Sequence, residues 1–383
     1  LKKNNTKNKI LLVTIASMVF LVGGYINYKQ GHSDKKVLEA KKEELSLNYN
    51  ELFSNPNKEE DNNLDILIGG KIEFSKELQD KLNKNQEGYK ELFSCMNNLC
   101  KKSIPIFSLN SYFEKENVIH KEFCDSLKKQ LNLQLINGDK KGIYEQGNKK
   151  LFESLDMLKN NDIKVLGLKD NLAEKNYVVI KKNNFKIGIL NYNIEDKVKR
   201  DNVFSNYYNS FSLENYEGSL KNLAQNIENI KKQGVTYIIA TLNFQETKKN
   251  HLKIKKDFSD LGVNLIIEKG TNSNAKNDVL KNTNTLCMEN NSDFLSYKNL
   301  YSSKADNMNY FIKINLTNKD KATKVNNIKY IPIALYENNN KFKLIPLTKR
   351  QEYKDYKIED IKDINALENK KENILNSIKR IYN

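Results

Sequence analysis

The alternation of two kinds of segment constrains this 383-residue chain more than any other feature of its sequence. Leu64-Asp65-Ile66-Leu67-Ile68 is a short apolar run that stops at Gly69-Gly70. Ile104 to Leu109 is a second, stopping at Asn110, and Leu131 to Ile136 a third, stopping at Asn137-Gly138-Asp139. A helical pattern from Asn148 to Lys159 leads into Ile163 to Gly167, and Tyr177 to Ile180 faces Lys186 to Tyr192 across the turn Lys182-Asn183-Asn184. Two helix-to-strand pairs follow: Ser219 to Gln233 into Val235 to Leu242, and Lys253 to Leu261 into Val263 to Ile267. Helices alternating with β-branched runs describe an α/β domain. Such domains carry their sites at the carboxyl ends of the strands, so the polar loops closing each run are where chemistry is expected.

Composition narrows the partners. Lys and Arg number 64 against 48 Asp and Glu, a formal charge of +16 and a pI near 9.3. Such an excess raises nucleic acid first, because neutralised phosphates supply most non-specific affinity. Yet Arg200, Arg350 and Arg380 are the only arginines, and lysine lacks the planar fork that reads guanine edges. No RRM, KH, zinc-finger or helix-turn-helix signature occurs, so no nucleic-acid partner is expected. A mean hydropathy of -0.71 excludes a polytopic membrane protein, while 20 Tyr and 16 Phe argue against wholesale disorder.

The first residues point to a membrane. Residues 1–9 carry Lys2, Lys3, Lys7 and Lys9 and precede an uncharged stretch from Ile10 to Tyr28. At about 1.5 Å per residue that stretch matches the hydrocarbon thickness. Gly23-Gly24-Tyr25-Ile26 offers no small-residue cleavage site, and no cysteine follows for a lipid anchor. A signal anchor with a cytoplasmic leader and an outer domain is expected by the positive-inside rule. Residues 29–62 read as a charged stalk, 63–348 as the α/β domain, and 349–383 as a charged tail. Ile358, Ile361, Ile364, Leu367, Ile374, Leu375, Ile378 and Ile381 in that tail predict an amphipathic helix docked on the domain or on a partner.

Cys95, Cys100, Cys124 and Cys287 are too few for a disulfide scaffold. Semi-buried thiols are the simpler expectation, with a Cys95–Cys100 bridge outside the cell as the alternative. No Gly-Lys-Ser/Thr phosphate loop, GxGxxG, GxSxG or HExxH occurs.

The order of segments resembles the CapA-type proteins of poly-γ-glutamate capsule synthesis, over roughly Asn63 to Leu347. The family's opening strand ends in Gly-Asp; here Leu67-Ile68 runs into Gly69-Gly70. Its Asn-Leu-Glu strand end compares with Asn110-Ser111-Tyr112, and its Ala-Asn-Asn-His segment with Ile136-Asn137-Gly138-Asp139. Its His-Trp-Gly-X-Glu element compares with Asn243-Phe244-Gln245-Glu246-Thr247. Its Gly-Ala-Asp…Gly-His-His-Pro-His element compares with Gly262-Val263-Asn264 through Lys269-Gly270-Thr271-Asn272, and its Ser-Leu-Gly-Asn-Phe element with Ser296 to Leu300. The resemblance implies a metallophosphoesterase-like layered α/β/β/α domain behind one N-terminal transmembrane helix.

What the resemblance puts in doubt is the metal. A dinuclear phosphoesterase centre needs several carboxylates and imidazoles on two cations. In this register the leading Asp is Gly70, the His of His-Trp-Gly is Asn243, and the final histidines are Lys269, Gly270 and Asn272. Asn137, Asp139 and Asn110 are the candidates left for catalysis, with Asp139 and Asn137 as metal remnants. Lys269, Asn243 and Asn299 are candidate binding residues, Lys269 standing as an ammonium in a vacated metal position. The three histidines of the chain, His32, His120 and His251, fall outside the matched strand ends, where an exposed or capping role is expected.

The resulting expectation is a membrane-anchored, non-catalytic accessory protein of poly-γ-glutamate synthesis or export. It would lie on the outer face of the cell membrane, without a cofactor, beside membrane synthase or export subunits. Its positive field would suit an acidic polymer. The rival is a metal-dependent hydrolase of the cell envelope using Mn, Zn or Mg at Asp139, Asn137, Asn110 and Asn299.

Overall fold

In the computed structural model, strand β1 (Asn63–Glu73) occupies the middle of a sheet rather than its edge. The structure describes residues 62–73, 76–85, 87–109, 121–138, 148–168, 175–196, 208–244, 250–269, 278–280, 283–289, 293–296, 309–319, 322–339 and 341–382. The leader, the anchor expected at 10–28 and the stalk as far as residue 61 lie outside the described residues. Among those described, no helix is long and apolar enough to cross a membrane.

Helices α1 (Lys76–Asn83), α2 (Gly88–Phe93) and α3 (Asn97–Lys101) connect β1 to β2 (Ser103–Leu109). Helix α4 (Lys121–Leu131) precedes β3 (Leu135–Gly138), and α5 (Asn148–Asn160) precedes β4 (Lys164–Leu166). Strands β1 to β4 run parallel. The sheet continues past β1 through β13 (Tyr310–Lys319), β14 (Ala322–Asn338) and β15 (Lys341–Pro346), with β12 (Asp293–Ser296) beside the end of β1.

A second sheet runs β10 (Asp278–Leu280), β11 (Thr285–Glu289), β9 (Leu265–Lys269), β8 (Tyr237–Phe244), β6 (Phe185–Glu195), β5 (Tyr177–Lys182), with β7 (Ser210–Ser212) on β6. Helix α6 (Tyr216–Lys231) leads into β8, and α7 (His251–Asp260) into β9.

Side-chain alternation divides these residues into layers. Leu67, Phe107 and Ile136 pack with Leu92, Phe93, Phe123, Leu127 and Leu158 of the first set of helices. Leu190, Tyr192, Leu242 and Phe244 pack with Leu223, Ile227, Ile254 and Phe258 of α6 and α7. Their strand neighbours Ile66, Ile68, Ile187, Ile189 and Ile239 are also buried. Successive side chains point to opposite faces of a sheet, so these residues fill the space where the two sheets meet. Strands buried on both faces read as continuous apolar runs. The result is mixed α/β: helices, sheet, sheet, helices.

Three expectations change in detail. The run Leu131 to Ile136 is not one strand, because Leu131 closes α4 and Asn132 turns the chain at φ 49° before β3 begins. Asparagine tolerates that left-handed turn, which ends helices. The tail forms α8 (Ile361–Tyr382), with Ile364, Leu367, Ile374 and Ile378 buried. Of its two expected docking partners it takes its own domain, since Tyr336 Oη of β14 donates to Asp363 Oδ2 at 2.7 Å, while Tyr353 Oη braces the tail itself by donating to Glu368 Oε1 at 2.6 Å.

The third concerns sulfur. All four cysteines are free and buried, so the Cys95–Cys100 bridge does not form. Cys95 sits in a 3-10 turn beside the Ser94 hydroxyl, and Cys100 in α3 is packed in the apolar core. Burial pushes the Cys100 thiol well above its ordinary range, and burial helped by the Asp125 carboxylate pushes Cys124 from 9.0 up to about 12. Both keep their protons longer folded than unfolded. Their contribution to stability is therefore complete below pH 9.0 and is lost as pH rises toward about 12. Iodoacetamide near pH 8 should leave Cys100 and Cys124 unlabelled until urea is added, because the thiolate is the nucleophile. The urea midpoint should fall as pH rises above 9.0. Full labelling in native buffer would contradict this placement.

Candidate functional site

The carboxyl ends of the parallel strands lie level. In the first sheet, Lys71 of β1 pairs with Ser108 of β2, Ser108 with Asn137 of β3, and Asn137 with Leu166 of β4. In the second, Asn191 of β6 pairs with Thr241 of β8, and Thr241 with Ile267 of β9. One step further, Asn193 pairs with Asn243 and Asn243 with Lys269.

Polar side chains at these ends stitch the sheets together. Asn137 Nδ2 donates to Thr241 Oγ1 at 3.1 Å. Asn191 Nδ2 donates to the carbonyls of Gly138, at 3.0 Å, and Leu166, at 3.1 Å. Asn243 Nδ2 reaches Asn193 Oδ1 at 3.2 Å and Asn191 Oδ1 at 3.4 Å. Asn209 extends the network, donating to the carbonyls of Asn191 and Asn176 at 3.2 Å each. All five asparagines are buried. A buried amide costs stability unless hydrogen-bonded, and here nearly every one is. Asn137 Oδ1, Asn209 Oδ1 and Ser108 Oγ are exceptions, buried without a hydrogen-bond partner.

Charge gathers on one flank. His251, the first residue of α7, stacks on Phe244 at the end of β8 with ring centroids 3.7 Å apart. Its Nδ1 lies 2.6 Å from Glu268 Oε1, and Lys255 Nζ lies 3.0 Å from Glu268 Oε2. Glu268 is 4% exposed and its two partners 17% and 18%. Next along β9, Lys269 is buried at the end of the strand. Ser210 Oγ of β7 donates to the buried Glu195 carboxylate at the end of β6 at 3.1 Å.

Of the candidates read from the sequence, Asn137, Asn243 and Lys269 come together at these strand ends, and Gly70 lies inside β1 at the register shift between Ile68 and Lys71, so the strand runs on past the expected stop to Glu73. Asp139, Asn110 and Asn299 lie outside the described residues, as do His32 and His120. His251 departs from expectation. It belongs to the strand-end cluster and is mostly buried, because its ring is held between Phe244 and Glu268. The sequence carried signals for the missed residues. His251 and Lys255 are four apart on one helical face, Glu268 interrupts an apolar run, and Asn191 and Asn193 recur at strand spacing.

The residues described here do not fit a pair of divalent cations. The row offers amides and an ammonium, and amide oxygens bind such cations weakly compared with carboxylates and imidazoles. Lys269 repels a cation. Glu268 is already matched by Lys255 and His251. Among the described residues, no group of three His, Cys, Asp or Glu side chains is placed to hold a metal ion.

Helices outside two facing sheets, with polar groups collected at the carboxyl ends of parallel strands, define a layered α/β protein of the ligand-site-at-strand-ends class. Residues 118–273 match the family described as bacterial capsule synthesis protein PGA_cap. The matched segment runs from just before α4 to just after β9 and holds Asn137, Asn191, Asn243, Glu268 and Lys269. No curated protein matches the chain.

Proposed function

We propose that this chain is a membrane-anchored, non-catalytic accessory protein of poly-γ-glutamate capsule synthesis or export. Its domain has a metallophosphoesterase-like architecture on the outer face of the cell membrane and works beside membrane synthase or export subunits. The observation that carries the reading is the Asn243–Lys269 pair. An amide and a buried ammonium stand side by side at the ends of β8 and β9, where the resemblance places metal-binding histidines. The PGA_cap match over this segment supports the link to capsule. The excess of lysine supports an acidic polymer as the molecule handled.

Two measurements test it together. Deleting the gene should lower surface poly-γ-glutamate, and a copy carrying Lys269→Met should be judged by the polymer it restores. The purified full chain should bind no stoichiometric Mn, Zn or Mg and keep its melting temperature in chelator. An unchanged polymer level on deletion would remove the link to capsule. Bound metal together with a chelator-sensitive melting temperature would instead favour a metal-dependent hydrolase. The partnerless Asn137 Oδ1 is the observation on that side.

A further inference from the structure

A second concave site lies at the pole opposite the strand-end row. The amino ends of β2 and β3 and the last residues of β5 enclose a cleft of about 310 Å³. Lys101, Lys181 and Lys182 line it, together with Asn132, Gln134 and an apolar floor that includes Ile104 and Leu135. Lys182 is fixed across the cleft: its Nζ donates to the carbonyl of Ser103 at 2.7 Å and of Lys101 at 3.2 Å. An ammonium has three protons to donate, so one remains. Burial lowers the Lys182 pKa, opposed by the Asp65 carboxylate, which is itself held by Lys313 at 2.7 Å. Among the described residues, no carboxylate lines the cleft and none of its three lysines forms an ion pair. The pocket beside β4 differs, since Asp162 sits there with Lys159 and Lys164.

A concave surface of one sign on low-dielectric walls focuses its field and concentrates ions of the opposite sign. We propose that this cleft is a binding subsite for a carboxylate-bearing chain, with Lys101, Lys181 and Lys182 meeting successive carboxylates. The apolar floor favours such a chain over a free inorganic anion, because the methylenes between its carboxylates have a surface to cover. Gln134 and Asn132 supply neutral donors and acceptors for its amide links. The cleft therefore names where an acidic polymer would be held, and in that respect it rests on the capsule reading above.

The test measures binding of a short γ-glutamyl oligomer to the full chain at low salt, with inorganic phosphate as a second probe. Lys101 and Lys181 are exposed, so the double variant Lys101→Glu, Lys181→Glu keeps Lys182 and its two carbonyl bonds. A control reverses two exposed lysines elsewhere, Lys354→Glu with Lys362→Glu. The cleft variant should lose oligomer affinity by about tenfold or more, and the control should lose much less. Equal loss in both would show that net charge alone acts; the subsite would fall and the capsule reading would stand. Phosphate binding the cleft as tightly as the oligomer would overturn the assignment to a carboxylate chain. If the unaltered chain binds no oligomer while gene deletion still lowers surface polymer, the subsite again falls alone.

Discussion

Replacing Glu268 by alanine is expected to lower the unfolding free energy by about 3 kcal/mol, because breaking a largely buried ion pair by removing one partner is strongly destabilising. Glu268 lies between Lys255 Nζ at 3.0 Å and His251 Nδ1 at 2.6 Å. Both partners keep some exposure to water, which places the effect at the lower end of what buried pairs show. Glu268→Gln retains the shape and one acceptor, and should cost less than alanine. The informative comparison is with Lys255→Met. If loss of the Lys255–Glu268 ion pair is the main penalty, the effects of Glu268→Ala and Lys255→Met should not add, with a coupling of about 1 kcal/mol or more. Urea denaturation of the four chains measures this. Additive effects, or a loss below about 1 kcal/mol for Glu268→Ala, would show that the carboxylate is solvated in the native state.

The second large effect is steric. A methyl group added at Gly69 would lie 1.9 and 2.0 Å from two ring carbons of Phe107, and 3.1 Å from Phe311. The two rings are packed 5.6 Å apart in the core beneath the first sheet, so neither has an empty side to turn into. Gly69→Ala should destabilise by about 3 kcal/mol, at the upper end of overpacking costs. Phe107→Leu is destabilising alone but should partly rescue Gly69→Ala, since it withdraws the clashing ring. A neutral Gly69→Ala would mean that β1 runs at a different height relative to β2.

Much of this architecture was legible because burial on both faces leaves an unmistakable mark. The runs at Leu64, Ile104 and Val263 each hold a strand, since apolar residues fill nearly every position, and the polar exceptions Asp65 and Asn264 are held by Lys313 and by the Ile238 N–H. The helices Lys76 to Lys101 were harder to read. They are short, and their apolar residues are spread over three segments that each turn a different face to the core. The hairpin of β13 and β14 escaped notice because its outer part is half-exposed and rich in Lys and Asn, which masks strand periodicity. At the site, comparing strand ends located Asn137, Asn243 and Lys269. The His251–Glu268–Lys255 cluster could not be read that way. It is made by α7 folding back on β9, a contact between elements that no strand-end register reports.

The central place of β1 also sets an order of assembly in time. Its residue Ile66 pairs with Ile104 on one side and with Ile314 on the other, and Asp65 meets Lys313 across nearly the whole domain. A growing chain can lay β2 and β3 against β1 early, but the other edge of β1 stays open until β13 has been made. Such distant pairing slows folding and leaves a sticky strand edge exposed meanwhile. A chain cut short before Tyr310 therefore lacks β13, β14 and β15 together, and most of β1 is left as an open edge instead of a central strand. It should accumulate as aggregate rather than as a smaller folded protein.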